Sequence, residues 1–404
     1  MVESSDRSVG RGIAGSSLAA LGMLTILGPL GTDTFLPALP AMADDFGVAV
    51  SAVQLALTGF TVGMAVGQLV AGPLSDTIGR RAPLLAGSSL MAVAAGLGST
   101  VPSVPLLVAA CIVMGLAGSV GLSVARAVVS DLATGAVLTR GYAILGTMMS
   151  LGPIIGPVLG VTLLWVGGWR AIFLGLAVFA VLCTALLVAW VPESHPPQHR
   201  LPADVRVILR VAVQAFRSRH FLCGAMTVWF SFFALFAYVG GSPFVVQSVL
   251  GFSSAGYAAV FMAGGVGLVI CSLLAAKLAG RFSQRRLIGI GLIIQALGAS
   301  LIGVAALVGA SPWLLLPGMI LVNSPMGFVI GPAIAYAVHD LRHASGTSIA
   351  ILQAVQWLVA GLAPPLVALG GTMTIAPFAI VIAVGVSLAS LSWWLLRPKR
   401  VSVS

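Results

Sequence analysis

The sequence predicts an all-α integral membrane protein with 12 transmembrane helices in two six-helix halves. Three observations carry this. The 404 residues are 59% hydrophobic and only 7% charged, against roughly 25% charged in a soluble domain, so the chain lacks the polar surface to face water. Apolar stretches recur along the whole length, each approaching the roughly 20 residues that cross a hydrocarbon core as helix. Basic residues bunch between those stretches. No sustained apolar/polar alternation of the porin type is present.

In chain order the spans are expected near 12–38, 51–73, 83–100, 105–126, 141–164, 170–191, 220–242, 255–279, 287–309, 312–336, 346–369 and 374–396. The polar stretch before the first span, with no small-residue cleavage site after it, favours a retained helix over a cleaved signal peptide. With the N-terminus inside, the even count puts the C-terminus inside too. Arg7, Arg11, Arg80, Arg81, Arg126, Arg140, Arg342, Arg397, Lys399 and Arg400 then fall on the cytoplasmic side. So do Arg200, Arg206, Arg210, Arg217 and Arg219 in the middle, and Lys277, Arg281, Arg285 and Arg286. Of 20 basic residues only Arg170 lies outside, as the positive-inside rule requires. The net charge of +10 is therefore a topology signal and implies no nucleic-acid partner.

Pro192, Pro196, Pro197 and Pro202, followed by arginines, mark a cytoplasmic loop and divide the chain into a bundle over 1–191, a linker over 192–219 and a bundle over 220–404. The halves share a weak repeat. After the second span of each, 72–87 reads GPLSDTIGRRAPLLAG and 277–291 reads KLAGRFSQRRLIGIG, with paired arginines Arg80-Arg81 and Arg285-Arg286. Cys111, Cys183, Cys223 and Cys271 lie in or beside apolar segments and read as small packing residues. His195, His199, His220, His339 and His343 fall in or beside cytoplasmic loops and form no evident site. No nucleophile–base pair, phosphate loop or metal cluster is visible, so no enzyme, cofactor or metal is expected.

Several segments are more specific. Gly72-Pro73-Leu74-Ser75-Asp76-Thr77-Ile78-Gly79-Arg80-Arg81 resembles the G-x-x-x-D-x-x-G-R-R/K signature of major facilitator transporters, whose layout is also six spans plus six. Gly72 would permit close helix approach, Asp76 accepts at a helix end, Gly79 turns the chain, and the arginines can pair with carboxylates. The resemblance implies a cytoplasmic latch, to which Arg126 and Asp131 of Arg126-Ala127-Val128-Val129-Ser130-Asp131-Leu132 would add. Thr32-Asp33-Thr34-Phe35-Leu36-Pro37-Ala38-Leu39-Pro40 resembles the D-x-Y-L-P-A-L-P signature of the Bcr/CflA drug-resistance family, a branch of the drug:H⁺ antiporters, with Phe35 for the usual Tyr. Asp33 is the carboxylate that falls inside a span. A charge there costs at least roughly 2.5 kcal/mol, which suits a group that takes up and releases a proton. The alternative is that Asp33 lies near enough to the outer surface to stay hydrated.

Gly152, Pro153, Gly156, Pro157 and Gly160 in the fifth span resemble the G-P-x-x-G-P antiporter motif, which in the superfamily goes with export. Glycines allow tight crossing and prolines bend the helix, so this span would seal the seam between the halves; a generic kinked helix is the alternative. Gly168-Trp169-Arg170-Ala171-Ile172-Phe173 matches the start of the sixth helix in the family, with Arg170 as an outer anchor. One departure matters. Related antiporters begin the fourth helix with R-x-x-Q-G, where this chain has Cys111-Ile112-Val113-Met114-Gly115, so the membrane arginine linked to proton coupling is absent.

The resemblance places a cavity at the midplane between the halves. Trp229, Phe233 and Phe236 share one face of the seventh span by spacing and could stack on a planar substrate, face lipid or pack between helices. Gln54, Asn323, Gln353 and Gln356, with Trp357 on the face of Gln353 and Gln356, are further candidates, or link helices. The implied function is proton-coupled efflux of small neutral or amphiphilic drugs, chloramphenicol- or bicyclomycin-like, by a monomer in a bacterial plasma membrane. The partners are then drug, protons and lipid. An exporter or uptake carrier for an endogenous metabolite is the alternative.

Overall fold

A computed structural model describes residues 13–200, 205–341, 344–369 and 374–396. Arg7, Arg11, Pro202, Arg342, His343, Arg397, Lys399 and Arg400 lie outside the described residues. The described chain is helical, with no strand.

The first half holds α1 (Gly15–Asp33), α2 (Leu39–Phe46), α3 (Val50–Ile78), α4 (Arg81–Gly98), α5 (Val104–Leu132) and α6 (Gly135–Trp190). α1 and α2 form one bent pass, joined by a 3-10 turn at Leu36–Ala38. Pro37 and Pro40 each lack a backbone donor, which explains the break. α6 runs for 56 residues but is two passes, because Gly167 and Gly168 leave helical geometry, Gly168 at φ 69°. That backbone region favours glycine and lets the chain reverse direction. Trp165, beside this corner, is 72% exposed, as suits a membrane interface.

The second half holds α8 (Arg219–Phe244), α9 (Ser254–Leu278), α10 (Gln284–Leu307), α11 (Pro312–Asn323), α12 (Met326–Ala337), α13 (Ser345–Gly361), α14 (Ala363–Ala368) and α15 (Ala376–Leu396). α11 and α12 make one pass broken near Pro325. α13 and α14 make another, broken near Pro364. Ten segments are long and apolar enough to cross a membrane. With the second pass of α6 and the 18-residue α4, they give the expected twelve among the described residues.

Side chains such as Leu174, Val178 and Val181 point away from the bundle, as helices apolar all round require when lipid is the solvent. Inside each half, α1, α3, α4, α5 and α6 pack together, and α8, α10, α12, α13 and α15 do likewise. The halves meet where α3 packs on α13 and α6 on α9.

The linker differs from expectation. It contains a 3-10 turn at Pro197–His199 and a 13-residue helix, α7 (Val205–Arg217), where proline and arginine content predicted loop. The prolines end before α7 begins, and beyond them the apolar residues recur with helical period.

Candidate functional site

A cavity of about 660 Å³ lies between the halves. Asp33, Thr32 and Asn323 sit at its deep end, with Phe232, Phe236 and Trp357 on its wall. It continues past Ala279 and Gln284, at the helix ends that carry Arg281 and Arg285. Asp33 is the one charged side chain among its described lining residues.

Asp33 ends α1, is 7% exposed and faces the cavity. Thr32 Oγ1 donates to its Oδ1 at 3.1 Å, and Thr34 Oγ1 donates to the Leu30 carbonyl. No ion pair among the described residues includes Asp33. Cys111 and Met114 of the fourth pass, where the sequence departs from R-x-x-Q-G, are both buried.

α6 supplies the floor beneath this carboxylate. Gly152, Gly156 and Gly160, four residues apart, form one ridge. A side chain at each would collide with Pro29, Asp33 and Thr34 in turn. The neighbouring Pro153 and Ile154 lie against Gly265 of α9, in the other half. Pro157 is buried in the same stretch. The motif thus braces the Asp33 segment on one face and meets the opposite half on the other.

The aromatic wall keeps Phe236 and Trp357 of the predicted residues, adds Phe232, and leaves out Trp229 and Phe233. Phe232, Leu235, Phe236 and Val239 line the cavity at helical spacing, so the open face of α8 is the stripe beside the one through Trp229, Phe233 and Phe236. Phe232 and Phe236 stand 5.1 Å apart, and Trp357 meets both edge-on at 5.3 and 5.5 Å. Trp229 is buried elsewhere, its indole N–H donating to the Leu352 carbonyl at 2.9 Å. Phe233 turns toward Gly385 of α15. Of the amide candidates only Asn323 lines the cavity. Gln353 and Gln356 are not among its lining residues, although Trp357 beside them is.

Gln54 has a different position. Its Nε2 donates to the Gly240 carbonyl of the other half at 2.8 Å. Thr58 Oγ1 donates to the Gly361 carbonyl at 2.8 Å, and Gln247 Nε2 to the Pro37 carbonyl at 3.1 Å. These bonds join the halves at the end remote from Arg80 and Arg285, so the cavity is closed there and opens at the end that carries those arginines. Arg170 anchors the closed end: it donates to Asp45 Oδ2 at 2.7 Å, and Trp169 Nε1 reaches the same oxygen at 3.0 Å.

At the arginine-bearing end, Arg80 is held by three neighbours. Its Nε is 3.0 Å from Asp131 Oδ2, its Nη1 donates to Ser75 Oγ at 2.6 Å, and it pairs with Asp76. Glu193 accepts from the backbone N–H of Arg80 at 2.8 Å and of Arg81 at 3.2 Å. Burial pushes the Glu193 carboxyl up, but the amides of Arg80, His195 and Arg81 and the Arg200 charge outweigh it and hold it below the usual range. Glu193 escaped the sequence reading because it lies far along the chain, beside prolines that mark only a loop. Gly79 has φ 97°, and a side chain there would strike Glu193 and Arg200. Asp131, Ser75 and Asp76 belong to the first half, and Glu193 and Arg200 to the start of the linker.

Two expected members of this cluster differ. Gly72 faces open space, so it does not serve close helix approach. Arg126 stands apart from the Arg80 cluster, with Nη2 4.0 Å from Met149 Sδ of α6. The helix turn between Arg126 and Asp131 puts them on different faces. In the second half, His220 Nδ1 lies 2.7 Å from Asp340 Oδ2 and His339 Nδ1 3.0 Å from Oδ1, a grouping the histidine spacing did not reveal.

Comparison with known proteins agrees with this architecture. The family model of the Major Facilitator Superfamily matches residues 21–364. The chain is 30% identical to the uncharacterized MFS-type transporter YdgK of Bacillus subtilis, over 94% of this chain and 95% of that one. It is 26% identical to a bicyclomycin resistance protein homolog of Haemophilus influenzae, over 95% and 96%. A crystal structure of a D-xylose–proton symporter superposes with a TM-score of 0.75 at 20% identity, covering 94% of this chain and 98% of that one, a likeness of fold. Sequence and fold agree, and the motifs resemble those of the Bcr/CflA branch: the chain is a multi-pass membrane transporter that belongs to the major facilitator superfamily.

Proposed function

We propose that the chain is a proton-coupled exporter of small neutral or amphiphilic compounds, working by alternating access in a bacterial inner membrane. The observation that carries this reading is Asp33, the lone charged group among the described residues of an apolar, aromatic cavity, buried at its closed end on the glycine ridge of α6.

With the arginine-bearing end and both termini toward the cytoplasm, the cavity is in its inward-open state. A substrate would enter past Gln284 and settle against Phe232, Phe236 and Trp357, whose faces suit planar apolar groups. Proton uptake at Asp33 from outside would remove the one charge of the site, and proton loss to the cytoplasm would restore it. The two protonation states then bias the same pair of conformations. The hydrogen bonds of Gln54, Thr58 and Gln247 would break when the outer side opens. The Arg80 cluster would stay intact within its half and close onto the other. The name of the Haemophilus influenzae relative supports an antibiotic-like substrate. The bundles would be residues 1–191 and 220–404, joined by 192–219, in a functional monomer.

The test is efflux of labelled chloramphenicol and bicyclomycin from cells expressing the chain, with and without a protonophore. The reading expects efflux that collapses with the protonophore. Efflux indifferent to it would contradict proton coupling, and no efflux of either compound would contradict the antibiotic-like substrate.

A further inference from the structure

The linker helix α7 (Val205–Arg217) carries four kinds of surface in sequence around its axis, at about 100° per residue. Val211 and Ala215, 7% and 0% exposed, are packed, and α7 meets α8 and α13. Next come Leu209, Val213 and Phe216, one stripe by spacing, 60%, 51% and 45% exposed. Arg206, Arg210 and Arg217 border that stripe, and exposed Gln214 lies beyond them. Phe216 meets the rings of Phe221 and Trp229 at 5.8 and 6.2 Å, and the rest of the apolar stripe stays open.

We propose that α7 lies in the bilayer surface, with Leu209, Val213 and Phe216 in the acyl boundary and Arg206, Arg210 and Arg217 on anionic phospholipid headgroups. The order of its surfaces is what a helix meets in the corner between a membrane protein and the bilayer: protein, hydrocarbon, headgroup, water. Its depth agrees. α8, a membrane pass, starts two residues after α7 ends, and Phe216 stands 5.8 Å from Phe221 in the first turn of α8. Long arginine side chains can cover apolar surface while their guanidinium groups reach the headgroups. A soluble partner of α7 would not need the stripe and the arginines to adjoin at the level where a membrane helix begins. Interfacial helices bind through this combination of buried apolar area and attraction to anionic lipid. A basic side chain near such a surface is worth about a fivefold change in partitioning.

The full-length protein, with half-buried Cys271→Ala and a polarity-sensitive fluorophore on Val213→Cys or Gln214→Cys, is placed in nanodiscs of phosphatidylcholine with or without phosphatidylglycerol. Cys111, Cys183 and Cys223 are buried and stay unlabelled. The expected result is a blue-shifted label at position 213 that shifts further with phosphatidylglycerol, beside a label at position 214 that stays at the water wavelength. Arg206→Gln, Arg210→Gln and Arg217→Gln together should abolish the phosphatidylglycerol dependence. High salt on the unmodified arginines should shrink it too, which guards against misfolding of the triple variant. A label at position 213 as wet as that at position 214 overturns the proposal. So does a shift indifferent to phosphatidylglycerol, to salt and to the arginines.

Discussion

Gly156 of α6 lies directly against Asp33 of α1: a methyl group added to the glycine would stand 2.7 Å from the Asp33 Cβ. The antiporter motif and the buried carboxylate, 123 residues apart in sequence, are one piece of packing. The contact makes the ridge more than a kink. It sets how deep Asp33 sits between helix and cavity.

Overpacking that ridge should therefore damage transport. Forcing an extra side chain into a tight crossing costs about 1–3 kcal/mol, released here by moving α1. Gly156→Val is expected to cut efflux at least tenfold, with Gly152→Val similar. Gly146→Ala, on the same helix but facing open space, should leave it unchanged. Efflux rates normalised to protein level check this.

The aromatic wall yields a contrast between neighbours on one helix. Phe236→Ala and Trp357→Ala should each weaken binding of a planar substrate about tenfold, since aromatic contacts add about 0.5–1.5 kcal/mol beyond the area they bury. Phe233→Ala and Trp229→Ala should leave affinity within twofold. They should instead lower the melting temperature, because Phe233 packs on α15 and the Trp229 indole holds the Leu352 carbonyl. Binding titrations and thermal unfolding of the purified variants separate the two effects.

Closure at the end remote from Arg80 rests on few bonds among the described residues. Each of the Gln54–Gly240 and Thr58–Gly361 hydrogen bonds is worth about 0.5–1.5 kcal/mol. Gln54→Ala with Thr58→Val is thus expected to shift the population toward the outward-open state by about an order of magnitude. Distances between spin labels across the outer ends of α3 and α8 report the shift.

Acid should loosen the arginine-bearing end. Glu193 is held below the usual carboxylate range, burial being outweighed by backbone amides and Arg200. Asp340 is held below it by the hydrogen bonds of His339, His220 and Ser218 and the His220 charge, which outweigh its partial burial. A depressed folded value means stability that is fully present above the ordinary carboxylate pKa and lost as pH falls through the depressed one. Melting temperature in detergent should fall below about pH 4. Glu193→Gln should be less stable than wild type at pH 7 and lose less on acidification.

Much of this was legible in the sequence. Span number and the paired-arginine turn follow from composition and local motif, where the physics is near in sequence or carried by charge, and Asp131 joined the arginines only through the family resemblance. The rest needed three dimensions. Trp229 and Phe232 differ by three residues, and only helix rotation decides which meets the cavity. Glu193 reaches the backbone of Arg80 across 113 residues, with no periodic or charge signal to join them. Gly72 looked like a contact glycine because the motif contains it, yet it faces open space. α7 was hidden because prolines before it mask the helical period that follows.

The central claim is that Asp33 couples protons to transport. Its most direct measurement is transport by Asp33→Asn in proteoliposomes, run in two modes with one labelled substrate. One mode is uphill movement driven by an imposed proton gradient, and the other is substrate-for-substrate exchange with no gradient. The account predicts that Asp33→Asn retains exchange and loses gradient-driven accumulation. Accumulation at the wild-type level in Asp33→Asn would contradict it.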